Sequence, residues 1–217
     1  MGLYFCYSYS ITKLTMRRNR LLVTSRSEKR IIMVKYLFLD AKWEQRCASI
    51  ENDANELLEL AGIGMSDDGK VTDRIFRIVR PEGDKKISKG TKFFLNLTDK
   101  KIATGASLHT ALTDFLDMFS EFQWIIVWNY RVYEIFLAKV RKCQLLLPEH
   151  KVLVLQDLIK EIDHGARGQL ICLEKALRRY SVNFDVDGLH DAKYDTEQIR
   201  RLYLAMHSQY KRAEGAN

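Results

Sequence analysis

A histidine and an aspartate near the C-terminus are residue types that a hydrolytic metal site uses, at a spacing that on its own is common by chance. His190 and Asp195 lie five positions apart, in the segment Leu189-His190-Asp191-Ala192-Lys193-Tyr194-Asp195-Thr196-Glu197. At the start of a helix, this spacing places the histidine before the first turn and the aspartate on it, so that both point into one cleft. There an imidazole can act as a general base and a carboxylate can bind a divalent metal. Each also has a simpler explanation, His190 as a hydrogen-bonding group before the helix and Asp195 as an acid favoured by the helix dipole.

A third residue of the same chemistry, Asp40, stands at the end of a short apolar run. Residues 34–39 predict a buried strand that delivers Asp40 at its C-terminal end. Further strands are predicted over 55–65 and 71–80, joined by a hairpin turn at 67–70. Three strands with short connections are typical of an antiparallel start to a sheet.

The rest of the chain alternates helices with strands. Apolar residues at helical spacing predict a helix over 108–119. Four further helices are predicted, three over 133–143, 173–180 and 191–210 and one that begins at residue 158. Buried strands are predicted over 124–128 and 152–155. In the last helix the residues expected to face inward are Ala192, Ile199, Leu202 and Met206. The order predicts an α/β fold: a mixed sheet, antiparallel in its first three strands and then parallel, flanked by helices.

The composition favours a soluble single domain in a reducing compartment. The chain has 217 residues, with 2 prolines and 4 cysteines that form no CxxC pair. Scattered cysteines argue against a cysteine-built zinc site and fit free thiols, which predicts a cytoplasmic location. No apolar run is long enough to span a bilayer.

The net charge of +7 is concentrated at the N-terminus. Residues 1–32 carry +6, which leaves +1 for the rest of the chain. We interpret 1–32 as a basic extension, 33–210 as the domain and 211–217 as a tail. The extension has three interpretations: a disordered basic arm, a targeting or membrane-touching segment, or a stretch that is not translated, with Met33 as the real start. We favour the third, because the domain pattern begins directly after Met33.

Taken together, these segments resemble the DEDDh 3′–5′ exonucleases, a superfamily with the ribonuclease H-like fold. His190 and Asp195 match the third motif and Asp40 matches the leading aspartate. The similarity runs from about Met33 to about Tyr203 and includes residues 57–62, 76–81, 95–98, 126–128 and 173–177. Within the superfamily, the chain resembles bacterial exonuclease-like proteins, among them sporulation inhibitors.

Two positions depart from the superfamily's motifs. The first motif is Asp-x-Glu, and here Lys42 replaces the glutamate. The second needs an aspartate about four residues after Trp128, and that position holds Val132, or Tyr133 if the register shifts by one. The resemblance implies that His190 is the general base and that Asp40 and Asp195 are metal ligands. Two of the four metal-binding carboxylates are therefore missing.

The loss has a direct electrostatic consequence. Two divalent ions about 4 Å apart need oxygen ligands to offset their charge. The Lys42 ammonium adds a repulsion on the order of several kcal/mol at an effective dielectric near 20. We expect Lys42 to pair with Asp40 and Asp195 in place of a metal. Glu44 and Glu134 are the candidate substitute ligands, although each is also explained as an ordinary surface acid.

The resemblance implies two main functions. The first is a binding or regulatory protein with weak or no hydrolysis, which holds a single-stranded 3′ end or a protein partner and needs no cofactor. The second is an active 3′–5′ exonuclease on single-stranded DNA or RNA that uses Mg²⁺ or Mn²⁺ and substitute carboxylates. A third, a nucleic-acid or membrane binder driven by residues 1–32, requires that this segment be made. The oligomeric state is not predicted.

Overall fold

The computed structural model describes residues 36–44, 55–83, 85–162 and 169–215, with side chains to 211. These residues belong to one compact unit, Val34–Asn217. The predicted extension, residues 1–32, lies outside the described residues. The five strands are β1 (Tyr36–Glu44), β2 (Glu56–Met65), β3 (Val71–Ile78), β4 (Trp124–Val127) and β5 (Lys151–Val154). The helices are α1 (Lys89–Phe94), α2 (Asp99–Ala103), α3 (Leu108–Met118), α4 (Tyr130–Lys142), α5 (Leu155–Ile162), α6 (Leu173–Arg179) and α7 (Ala192–Gly215).

The strands form one mixed sheet in the order β3-β2-β1-β4-β5. The β1–β2 and β2–β3 pairs are antiparallel, whereas β1–β4 and β4–β5 are parallel. The turn between β2 and β3 contains Gly69 at φ +85°, a backbone conformation that glycine adopts without steric cost. The predicted fold class, including the change from antiparallel to parallel pairing, is confirmed.

The side chains of β1 divide the core between the two faces of the sheet. Leu37, Leu39 and Ala41 belong to the hydrophobic cluster formed with α3 and α4. Phe38 belongs to the cluster formed with α5, α6 and α7. Because successive side chains on a strand point to opposite faces, Asp40 and Lys42 lie on the same face as Phe38. The sheet thus directs both residues toward α7.

Several element boundaries differ from the prediction, each for a local reason. Helix α4 begins at Tyr130 and not at 133, because the Asn129 side chain caps it by accepting from the Val132 N–H. Strand β3 ends at Ile78, and Val79 forms an isolated parallel bridge with Ala106. Helices α1 and α2 were not predicted, because helices of 6 and 5 residues are too short to show an apolar period.

The last helix is longer than predicted and continues to Gly215. The residues expected to face inward, Ala192, Ile199, Leu202 and Met206, are all buried. Over the part of the chain that the structure describes, none of the helices has the length and apolarity needed to cross a membrane.

Candidate functional site

The first turn of α7 is attached to the middle of the sheet by a buried acid on β2. Glu59 lies opposite Lys42 in the β1–β2 register. Its Oε2 accepts a hydrogen bond of 3.0 Å from the Ala192 N–H, at the start of α7. A carboxylate at a helix N-terminus satisfies an unpaired N–H group and complements the helix dipole. This contact brings Asp195, on the same turn, over the face of β1 that carries Asp40 and Lys42.

The Lys42 ammonium bridges Asp40 and Asp195, the two aspartates that the sequence resemblance predicts to be metal ligands. Its Nζ lies 2.8 Å from Asp40 Oδ2 and 2.5 Å from Asp195 Oδ2. Asp40 and Asp195 are only 3% and 4% exposed, and the Lys42 side chain is 17% exposed. The ion pairs expected from the sequence between Lys42 and the two aspartates are therefore present.

Burial and the neighbouring charges shift the pKa values of Lys42 and Asp40 in this cluster. Burial would lower the pKa of Lys42, but Asp40 and Asp195 outweigh that effect and raise the pKa above its usual value. Burial raises the pKa of Asp40 to about 6, with the Asp195 charge acting in the same direction and Lys42 acting against it. Lys42 therefore stays charged, and the cluster holds a buried ammonium at neutral pH.

His190 is held by its backbone at the edge of this cluster. Its N–H donates to both carboxylate oxygens of Asp195, at 3.2 Å each. The residue has a φ of +77°, in the left-handed region that non-glycine residues rarely adopt. Its imidazole packs on the Phe94 ring, with 4.4 Å between the centroids. His190 is exposed beside α1, next to the buried ion pairs.

The second motif presents no carboxylate to the cluster. Val132 is 3% exposed and belongs to the hydrophobic cluster on the α3–α4 side of the sheet. Tyr133 belongs to the same cluster, and its hydroxyl pairs with His150 Nε2 at 2.9 Å. Both residues that align with the missing aspartate have structural contacts of their own.

The two candidate substitute acids have partners outside the cluster. Glu44 is buried, and its carboxylate accepts from the Ser88 N–H and hydroxyl, both at 3.4 Å. Glu134 forms an ion pair with Arg131 at 3.7 Å, one helical turn away. Within the described ranges, no group of three or more His, Cys, Asp or Glu side chains is arranged to hold a metal ion. The side chains present thus do not fit a divalent metal, because an ammonium holds the position between Asp40 and Asp195.

Glu59 is a site residue that lies outside the sequence motifs. Burial raises its pKa to about 7, and the negative charges of Asp191 and Asp40 act in the same direction. The Ala192 N–H and Lys42 act in the opposite direction. The sequence does carry a signal for this residue, since Glu59 is an acid within the apolar run of residues 57–61. A charged residue in a buried strand needs a partner.

Comparison with known proteins identifies the fold. The sequence matches no protein-family model, and no curated protein is significantly similar to it. Solved structures match with high probability. Cell-death related nuclease 4 (CRN-4) has 14% identity and a TM-score of 0.63, over 81% of this chain and 64% of that one. The nuclease domain of 3′hExo, a DEDDh family member, has 13% identity and a TM-score of 0.63, over 82% of this chain and 94% of that one.

A third match is exonuclease I of E. coli in complex with a dA16 oligonucleotide. It has 13% identity and a TM-score of 0.68, over 82% of this chain and 42% of that one. This chain thus spans less than two thirds of cell-death related nuclease 4 and less than half of exonuclease I. The chain has the fold of the DEDDh exonucleases.

Proposed function

We propose that this protein binds the 3′ end of a single-stranded nucleic acid on an exonuclease scaffold, with weak or no hydrolysis. The observation that carries the proposal is the Lys42 ammonium, which contacts Asp40 and Asp195 at 2.8 and 2.5 Å. A buried cation there supplies the positive charge that the two carboxylates need. It provides no Lewis acid to activate water or to stabilise a leaving oxygen.

The cost of replacing that cation by a metal supports the same conclusion. A divalent ion between the two aspartates would meet the Lys42 charge at a distance of a few ångströms, a repulsion of several kcal/mol at an effective dielectric of about 20. Expelling Lys42 would separate two buried ion pairs. Neither cost is offset by a carboxylate from α4, because Val132 lies in the core.

The ligand class follows from proteins that share the fold. One solved structure is a 3′-exonuclease in 3′-end-specific recognition of a histone mRNA stem-loop, and another is exonuclease I with a dA16 oligonucleotide. The scaffold thus holds a nucleic-acid strand in proteins that retain only 13% identity to this chain. We place the protein in the cytoplasm, because the two described cysteines, Cys143 and Cys172, are free thiols, as expected in a reducing compartment.

The test uses the full chain and a 5′-labelled single-stranded oligonucleotide, in Mg²⁺ and then in Mn²⁺. Binding is followed by fluorescence anisotropy, and the length of the oligonucleotide on a gel. We expect binding without shortening, and weaker binding when the 3′-hydroxyl is blocked. The blocked oligonucleotide also controls for binding by the basic residues 1–32. Such binding depends on the phosphates, so it would be equal for the free and the blocked oligonucleotide.

Two results would contradict the proposal. Stepwise 3′ shortening that disappears in the Asp195→Ala variant would establish the alternative, an active exonuclease with Mg²⁺ or Mn²⁺ held by Asp40, Asp195 and a substitute such as Glu44 or Glu134. Equal binding of the free and blocked ends would reject a 3′-end site and assign the binding to a surface that does not read the end, such as the basic extension. No binding would leave a protein partner as the ligand of the scaffold.

A further inference from the structure

The end of helix α1 exposes two neighbouring aromatic rings. Phe93 is 90% exposed and Phe94 is 59% exposed. The segment that carries these rings packs against the sheet. Its buried residues form a small hydrophobic cluster with Leu58 of β2: Ile87, Leu95, Leu97 and Ile102. The segment is therefore fixed to the domain, whereas much of the apolar surface of both rings is exposed to water. Large exposed apolar groups of this kind commonly mark a binding surface.

The same segment concentrates positive charge. Residues 85–101 contain six lysines and one acid, a net charge of +5, although residues 33–217 together carry only +1. Part of this charge is engaged locally. Lys92 pairs with Asp99 at 2.5 Å, Lys85 pairs with Glu56, and Lys101 donates to the Asn96 carbonyl. Lys89 and Lys100 are exposed at the starts of α1 and α2.

One of the rings connects this face to the ion-paired cluster. Phe94 packs on the His190 imidazole at 4.4 Å, and the His190 N–H is held by Asp195. The exposed rings thus lie next to His190, which contacts the ion-paired cluster through its backbone. We name the exposed surface formed by Phe93, Phe94 and the lysines of 85–101 the α1 face.

We propose that the α1 face binds a single-stranded nucleic acid, with bases stacked on Phe93 and Phe94 and phosphates near the lysines, so that the 3′ end reaches His190. This inference rests on the proposed function and assigns the residues that carry it. The choice of ligand follows from charge complementarity. A single strand offers flat aromatic bases and a negative charge at every phosphate, which matches two exposed rings in a segment with a net charge of +5.

The experiment measures anisotropy of a labelled oligothymidylate on the full chain and its variants. The stacking variants are Phe93→Leu and Phe94→Leu, combined, which keep an apolar side chain and remove the ring. We expect this pair to weaken binding by about tenfold or more, the effect of removing base–aromatic stacking. The control is Leu146→Ala, which truncates a residue that is 91% exposed in the loop before β5. It should leave binding unchanged.

A second probe separates stacking from charge. An abasic oligomer keeps the sugar and phosphates and lacks the bases. Its affinity should be the same for wild type and for the Phe93→Leu/Phe94→Leu variant. Conversely, Lys89→Gln with Lys100→Gln should weaken both probes and should reduce the slope of log affinity against log salt by about 0.7 for each phosphate that is no longer neutralised. Lys175→Gln, an exposed position on α6, is the matched control for charge removal.

The outcomes distinguish this inference from the proposed function. If wild type binds the oligothymidylate and the combined leucine variant binds it equally well, the α1 face is rejected and the proposed function stands. If the leucine variant also fails to bind the abasic probe, stacking is rejected. If wild type binds neither probe, both proposals fail.

Discussion

Lys42 Nζ and Asp195 Oδ2 lie 2.5 Å apart, although the two residues are separated by 153 positions in the chain. The contact joins the first strand of the sheet to the first turn of the last helix. Because Lys42 also contacts Asp40, one ammonium is paired with two buried carboxylates. The Lys42 ammonium therefore joins β1 to α7 through a buried ion pair.

Removing the Lys42 charge should destabilise the fold. Lys42→Met keeps a long side chain and leaves Asp40 and Asp195 buried without a counter-charge. Breaking a buried ion pair from one side costs roughly 3–5 kcal/mol. We expect a decrease of that order in the free energy of unfolding, measured with urea at neutral pH.

The matched control is Lys70→Met. Lys70 pairs with Asp68 at 3.0 Å, but its side chain is 83% exposed. Exposed pairs contribute about 0–1 kcal/mol, so this variant should unfold almost as wild type does. Equal decreases for the two variants would show that the Lys42 ion pairs contribute no more than a surface pair.

The wild-type protein should not depend on a divalent metal for its stability. A ligand that binds only the native state raises the free energy of unfolding by about 2.7 kcal/mol at a hundredfold excess over its dissociation constant. We expect the same melting temperature in EDTA, Mg²⁺ and Mn²⁺, because Lys42 already neutralises the aspartates. Lys42→Glu replaces the ammonium with a third carboxylate and should melt lower in EDTA and recover when Mn²⁺ is added.

The metal experiment has its own internal control. Asp195→Asn in the Lys42→Glu background removes one of the three carboxylates that the site would then have, and it should abolish the recovery in Mn²⁺. Stabilisation of the wild type by either metal would contradict the role given to Lys42 and would favour the active-exonuclease alternative.

The sequence predicted those parts of the site that depend on local periods and spacings. Asp40 and Lys42 share a face because the strand period is two residues, and His190 and Asp195 meet because five residues span the start of a helix. Helices α1 and α2 were not predicted, because they are too short to show the apolar period of a helix. The contact of Phe94 with His190 joins residues that are distant in sequence, so no local pattern indicates it.

Burial of the second motif could not be predicted from spacing either. The position that aligns with the missing aspartate falls within the first turn of α4, and only the packing of that helix decides which side chains face the sheet. In the structure Val132 faces the hydrophobic cluster that includes Leu39 and Phe136. The substitution that would restore the motif therefore meets a core and not a cleft.

Val132→Asp should therefore destabilise the protein rather than restore a metal site. A carboxylate in place of a side chain that is 3% exposed would give up its hydration without gaining a partner. We expect a decrease of about 2–4 kcal/mol in the free energy of unfolding, and no added stabilisation by Mn²⁺. The control is Val186→Asp at a position that is 49% exposed, which should change stability little. A stable Val132→Asp variant that binds Mn²⁺ would show that α4 rotates toward the cleft.

The raised pKa of Glu59 should make stability fall as the pH rises. Its pKa is about 7 in the folded protein against an ordinary value of 4.5, so the native state binds more protons than the unfolded state between these limits. Over this window the free energy of unfolding decreases by up to about 3 kcal/mol for this group. Asp40 adds a decrease over a lower window, because its pKa rises from 3.8 to about 6. The charged groups that act on Glu59 are Asp191, Lys42 and Asp40.

Glu59→Gln isolates this contribution. The amide oxygen can still accept from the Ala192 N–H, but the side chain no longer ionises. Between about pH 4.5 and pH 7 we expect the stability of the wild type to fall more steeply than that of the variant, as measured by urea unfolding. Glu174→Gln, an exchange at the Arg178 ion pair on α6, should keep the wild-type pH profile. Parallel profiles for wild type and Glu59→Gln would mean that Glu59 is ionised over the whole range and that its hydrogen bond to α7 outweighs its burial.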